Sequence, residues 1–134
     1  MKPVLVDSDI LLDVLTGDRA SGAASGAGLA RLADEARLVI NPVIYAEVSA
    51  RFSRIEDLEA ALPRAVFERE ALPDEAAFLA GKVFLAYRRR GGAKRSPLPD
   101  FFIGAHAAVA GYRLLTRDRA RYGAEFPGLE IVEP

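Results

Sequence analysis

The chain has 134 residues and a net charge of −1, a length that fits one domain, 1–134, able to bury a core without disulfides or a structural metal. It has no cysteine and one histidine, His106, which excludes disulfides, thiolate zinc sites, cysteine nucleophiles and multi-histidine metal sites. Any metal ligands must then be mainly oxygens, suited to hard ions such as magnesium or manganese.

Met1-Lys2-Pro3 leads straight into Val4-Leu5-Val6, a short strand-like run, without the apolar core of a signal peptide. No apolar stretch approaches the ~20 residues of a membrane-spanning helix. These features, with the absence of cysteine, lead us to expect a soluble, cytoplasmic protein with no membrane partner. The run ends on Asp7 and Asp9 and resumes as Ile10-Leu11-Leu12. A carboxylate beside a core strand loses hydration unless a cation or hydrogen-bond donors replace the water.

Ala20 to Gly28, "ASGAASGAG", is poor in side chains to bury and reads as a loop or frayed helix start, with helix from Leu29 to Ala36. Leu38–Ile40 is the second strand. Asn41-Pro42 follows as N-cap and first helical residue of "VIYAEVSARF", which carries Glu47 beside its apolar stripe. Ala65–Phe67 is a weaker strand signal. Pro73-Asp74-Glu75 opens a helix with apolar residues Phe78, Leu79, Val83 and Leu85 at helical spacing, ending in "RRRGG". "PDFFIGAHAAVAG" is the next helix, with Asp100 in its first turn. Leu114–Thr116 and Leu129–Val132 are the last two strands, and Asp118 lies two residues after the first of these. Short strands alternating with longer helices predict a mostly parallel sheet covered by helices, an α/β/α sandwich.

In that layout Asp7, Glu47, Asp100 and Asp118 all fall near the carboxyl edge of the sheet, where ligand sites of open α/β folds form. Taken singly, each has an ordinary explanation as a helix-dipole partner, a cap or a solvated residue. Together, four converging carboxylates would repel one another unless a divalent cation offsets their charge.

The stretches "VLVDSDILLDVL", "NPVIYAEV", "PDFFIGAHA" and "LLTRDRARY" together resemble the acidic motifs of PIN-domain ribonucleases, in the subgroup of VapC toxins from type II toxin–antitoxin pairs. This resemblance spans essentially the whole chain and implies a PIN-like α/β/α fold. It also implies metal-dependent hydrolysis of RNA phosphodiester bonds, with Asp7, Asp100, Asp118 and Glu47 as catalytic and metal-holding residues for magnesium or manganese. A cognate VapB-like antitoxin and a homodimer are the implied partners. The family usually has a polar, uncharged residue where this chain has Asp9, so Asp9 stands as a metal ligand, a cap or a support of the ligands; Thr116 matches a common hydroxyl position.

RNA must reach an acidic site, and Arg88, Arg89, Arg90, Lys94 and Arg95 in "YRRRGGAKRS", together with Arg117, are the candidate phosphate contacts. Arg119 and Arg121 also flank Asp118. Leu11, Leu12, Leu15, Ile55 and Leu58 could serve the core, a partner groove or a dimer face. His106, among alanines, reads as a packed histidine rather than a catalytic one. Two other functions compete. A haloacid-dehalogenase-like phosphatase would use Asp7 as nucleophile but needs a lysine that neither Lys82 nor Lys94 supplies in a suitable context, and a non-catalytic PIN-like binding module would keep the acids without cleavage.

Overall fold

The structure is a computed structural model and describes residues 1–91 and 98–134. Its sheet is built from β1 (Val4–Val6), β2 (Leu38–Ile40), β3 (Phe67–Arg69), β4 (Arg113–Leu115) and β5 (Ile131–Val132), in the order β3-β2-β1-β4-β5. Every pairing is parallel. Parallel strands covered on both faces must be apolar throughout, and β1 and β2 are completely buried.

The helices are α1 (Ser8–Thr16), α2 (Gly22–Glu35), α3 (Pro42–Ser49), α4 (Ile55–Ala61), α5 (Asp74–Arg89), α6 (Leu98–Ala110) and α7 (Arg119–Glu125). The connections from β1 to β2 and from β2 to β3 run one way along the sheet; those from β3 to β4 and from β4 to β5 run the other. Right-handed crossovers therefore put α1 to α4 on one face and α5 to α7 on the opposite face, giving three layers. The direction of travel reverses between β1 and β4. A crevice opens beyond the carboxyl ends of such a strand pair.

Several elements differ from the sequence expectation; β4 is Arg113–Leu115 rather than Leu114–Thr116, and β5 is Ile131–Val132 rather than Leu129–Val132. The third strand is Phe67–Arg69 rather than Ala65–Phe67, because Val66 and Phe67 turn back onto Pro63 O before the chain pairs with β2. The segment expected to be loose is helical from Gly22. Its small residues suit close packing on α1: Ser25 is fully buried and donates to Asp13 Oδ2 at 2.7 Å. In α5 the buried residues are Ala76, Ala80 and Tyr87, whereas Phe78 is 69% exposed. Alanines at this interface let α5 and α6 approach closely, and Phe101 of α6 fills the gap against Phe84 and Tyr87.

Asn41 caps α3 as expected, its Oδ1 accepting from Ile44 N at 2.9 Å. Its amide nitrogen then faces His106 Nδ1 at 3.0 Å and must donate to it, which leaves the proton of His106 on Nε2 to reach Glu70 Oε1 at 3.1 Å. His106 is fully buried, and this chain of bonds ties α3, which carries Glu47, to α6, which carries Asp100. Asn41→Ala removes the cap and leaves a buried imidazole nitrogen unpaired. We expect it to cost about 2–3 kcal/mol, read as a shift in the urea unfolding midpoint; a loss below about 0.5 kcal/mol would show that the cap is dispensable.

Candidate active site

Five carboxylates and two arginines line one cavity of about 290 Å³ at the reversal point of the sheet: Asp7, Asp9, Glu47, Asp100 and Asp118, with Arg117 and Arg121. The strand ends bring the first group there. Asp7 follows β1, and its backbone N–H continues the ladder to Leu115 O at 3.0 Å. The Asp7 side chain then caps α1, Oδ1 accepting from Ser8 N at 2.8 Å. Thr116, just past β4, donates to Asp7 Oδ2 at 2.7 Å, and its hydroxyl accepts from Asp118 N at 3.1 Å. One hydroxyl thus joins the acids at the ends of two neighbouring strands.

Glu47 enters from α3, its Oε1 accepting from Ser8 Oγ at 2.7 Å. Asp100 enters from the first turn of α6, with Oδ2 on Arg121 Nη1 at 2.8 Å and Oδ1 3.5 Å from the Tyr122 hydroxyl. Asp118 caps α7 by accepting from Arg121 N, and its Oδ2 holds Arg121 Nη2 at 2.7 Å. All four acids singled out in the sequence therefore face one cavity. Asp9 joins them: Oδ2 accepts from Arg117 N and lies 3.2 Å from Thr116 Oγ1, whose one proton goes to Asp7, while Oδ1 is buried and accepts no hydrogen bond from the described residues. Asp9 does not cap α1, which is the role of Asp7.

Burial dominates the electrostatics. The Asp7 carboxyl is pushed up to about 7, first by desolvation and then by the Asp9 charge, against the Thr116 hydrogen bond. Desolvation also raises Asp9, Asp100 and Glu47 above the usual carboxylate range; Arg117 opposes it at Asp9, Arg121 at Asp100 and the Ser8 hydroxyl at Glu47. The Tyr122 hydroxyl is held protonated by burial and by the charges of Asp7 and Asp100.

Among the described residues no three of these acids close into a ready-made metal cage. The neighbours explain this, since Thr116, Ser8 and Arg121 each occupy oxygens that a cation would use. The donor set nonetheless suits a hard divalent ion. It is entirely oxygen, it includes the unpartnered Asp9 Oδ1, and burial raises Asp7, Asp9, Asp100 and Glu47, a cost that a bound cation would offset.

The candidate RNA contacts separate. Arg117 lines the cavity but grips Asp13 through Nε at 2.6 Å and Nη2 at 3.0 Å. Arg90 leaves the basic cluster for Glu125 of α7 at 2.6 Å, Arg88 lies over the Phe84 ring, and Arg89 is exposed in the last turn of α5. Lys94 and Arg95 lie outside the described residues. Of the arginines flanking Asp118, Arg119 turns away to Glu133 and Ile131 O. Arg121 turns inward, a placement that its i+3 spacing from Asp118 makes legible only in part, because Asp100 reaches it from a different helix. The buried Asp13 was not anticipated either; its partners Ser25 and Arg117 are remote in sequence. Leu11 and Leu58 belong to the core, Leu12 and Leu15 pack against it, and Ile55 remains 64% exposed.

The PIN domain family profile matches residues 4–125, and the chain belongs to that family. This removes the haloacid-dehalogenase-like alternative; Lys82, moreover, lies over the Phe78 ring and does not line the acidic cavity. No curated protein sequence matches the chain. Among solved structures, it resembles VapBC2 of Rickettsia felis bound to a promoter DNA fragment (TM-score 0.76, 15% identity, 98% of both chains covered). Likewise similar is VapBC-1 of nontypeable Haemophilus influenzae (TM-score 0.74, 16% identity, 98% of this chain and 97% of the other). A third is VapC20 of Mycobacterium tuberculosis, a sarcin–ricin loop cleaving toxin (TM-score 0.64, 15% identity, 98% and 99% covered). At these identities the likeness is one of fold. Among the described residues no helix is long and apolar enough to cross a membrane.

Proposed function

We propose that this PIN domain, taken as one unit over residues 1–134, is a metal-dependent ribonuclease and the toxin of a type II toxin–antitoxin pair. The observation that carries the reading is the convergence of Asp7, Glu47, Asp100 and Asp118 on one cavity at the reversal point of the sheet. Those four would hold magnesium or manganese, with Asp9 as a further oxygen donor. A bound divalent ion supplies the charge that lowers the pKa of a water and polarises the scissile phosphodiester.

The chain's own groups do the rest. Thr116 and Ser8 orient Asp7 and Glu47 through short hydrogen bonds, so these acids lose little freedom when the site loads. The Tyr122 hydroxyl keeps its proton in the working pH range and is a donor available to the Asp7 and Asp100 carboxylates. Among the described residues, Ser8 is the one serine, cysteine or histidine lining the cavity and its hydroxyl is committed to Glu47, so water is the nucleophile that fits.

The similarity to VapBC complexes supports a VapB-like antitoxin as partner and a homodimer as the assembled form. A second cavity of about 540 Å³, lined by Pro42, Tyr45 and the exposed Ile55, offers apolar surface for such contacts. The decisive experiment incubates antitoxin-free protein with a mixed RNA pool in magnesium or manganese, then with excess chelator, beside Asp100→Asn. Discrete cuts that vanish with chelator and in the variant are expected. A folded, metal-loaded protein that leaves RNA intact would overturn the reading in favour of a binding-only module.

A further inference from the structure

Two arginines line the acidic cavity, and their counter-ions differ in kind. Arg117 is neutralised by Asp13, a buried carboxylate outside the cavity that is itself held by Ser25. Its guanidinium keeps this partner when the acids of the cavity are taken. Arg121 is neutralised by Asp100 and Asp118, two of the acids that a metal would claim. Asp118 is committed further still, because Oδ1 accepts from the backbone N–H of Arg121 and Oδ2 from its guanidinium. A cation that takes Asp100 Oδ2 and Asp118 Oδ2 must compete with this bridge. The Arg121 side chain is 42% exposed, so it has solvent to turn into once its partners are taken.

From this geometry we propose that Arg121 is a substrate-contacting residue, closed across Asp100 and Asp118 in the metal-free protein and turned onto an RNA phosphate when a divalent ion takes those carboxylates. The inference rests on the nuclease reading for its substrate and on the structure alone for its bridge. A guanidinium stripped of both carboxylates at the mouth of an acidic pocket keeps its charge and its paired N–H donors, and a phosphate offers two oxygens in matching geometry. The chain thereby carries its own placeholder cation: it steadies Asp100 and Asp118 before loading and becomes an anion contact afterwards.

The test compares wild type, Arg121→Gln and Arg121→Lys, each checked for native circular dichroism, in two assays. In the first, Mn²⁺ binding without RNA is followed by loss of the free-ion electron paramagnetic resonance signal. Arg121→Gln is expected to bind Mn²⁺ about tenfold more tightly, the scale of one partly screened charge pair. Lysine keeps the charge but presents a single point donor that cannot span two carboxylates, so Arg121→Lys should also tighten binding, by about threefold. Unchanged or weaker binding in Arg121→Gln, or wild-type affinity in Arg121→Lys, would overturn the bridge.

The second assay measures cleavage of an RNA oligonucleotide at saturating Mn²⁺. Arg121→Gln should raise KM about tenfold with a smaller change in kcat, as loss of a phosphate contact requires; an unchanged KM would overturn the contact. Should no version cut RNA while the Mn²⁺ pattern holds, the nuclease reading and the substrate contact fall together and the bridge is upheld.

Discussion

Asp7→Asn should lower metal-dependent RNA cleavage at least about 100-fold, the scale of losing several kcal/mol of metal-derived stabilisation of the transition state, whereas Asp118→Asn should cost only about tenfold, as expected for a metal-holding acid nearer solvent, where the loss of its charge is better screened. The difference follows from what holds each acid. Asp7 is 4% exposed at the end of the central strand, and its oxygens are fixed by Ser8 N and Thr116 Oγ1 at the floor of the cavity. Asparagine there turns one oxygen into a donor that points at a donor. Asp118 is half-buried, caps α7 and is already paired with Arg121, so its asparagine variant keeps the cap and frees the guanidinium. Rates for both variants with one RNA oligonucleotide at saturating Mn²⁺ decide the order. Equal losses would show that the more exposed Asp118 contributes as much charge to the metal as the buried Asp7 does.

The position of these acids was readable because strand and helix ends are written in short-range chemistry. Val4-Leu5-Val6 followed at once by Asp7, and Asn41-Pro42 followed by a helix carrying Glu47, need only local pattern and capping rules to be placed at the carboxyl edge of a parallel sheet. The position of Asp118 was legible in the same way, although β4 itself is Arg113–Leu115, one residue earlier than expected. What escaped the sequence depends on contacts between remote segments. The glycine- and serine-rich stretch from Ala20 looks too weak for a helix in isolation, yet the structure is helical from Gly22 because Ser25 packs against Asp13 of the neighbouring helix. Arg117, expected as a phosphate contact, is taken by the same Asp13. Arg90 is held by Glu125, 35 residues along the chain. A run of cations records charge, but whether that charge is free depends on acids delivered by the fold.

Stability of the metal-free protein should fall as pH rises from about 5 to 7, the reverse of the usual acid denaturation profile in that range. Asp7 has a folded pKa of about 7 against an unfolded value near 3.9. The sign follows from proton counts: between these two values the folded chain keeps a proton on Asp7 that the unfolded chain has lost, so raising the pH favours unfolding. The contribution is whole below the unfolded pKa and gone above the folded one. Asp9, Asp100 and Glu47 are shifted the same way by burial and add to the slope. Glu59, lowered by the Tyr45 hydroxyl, acts in the opposite sense but titrates below this window. One retained proton corresponds to about 1.4 kcal/mol per pH unit, so a loss of roughly 2–3 kcal/mol between pH 5 and 7 is expected from urea unfolding in chelator. Asp7→Asn should flatten that slope by removing its main titrating group, and saturating Mn²⁺ should reverse it, because a cation binds the ionised acids of the folded state alone. A chelated protein equally stable at pH 5 and pH 7 would mean that Asp7 is ionised without a metal, and that the cavity needs no cation to hold its charge.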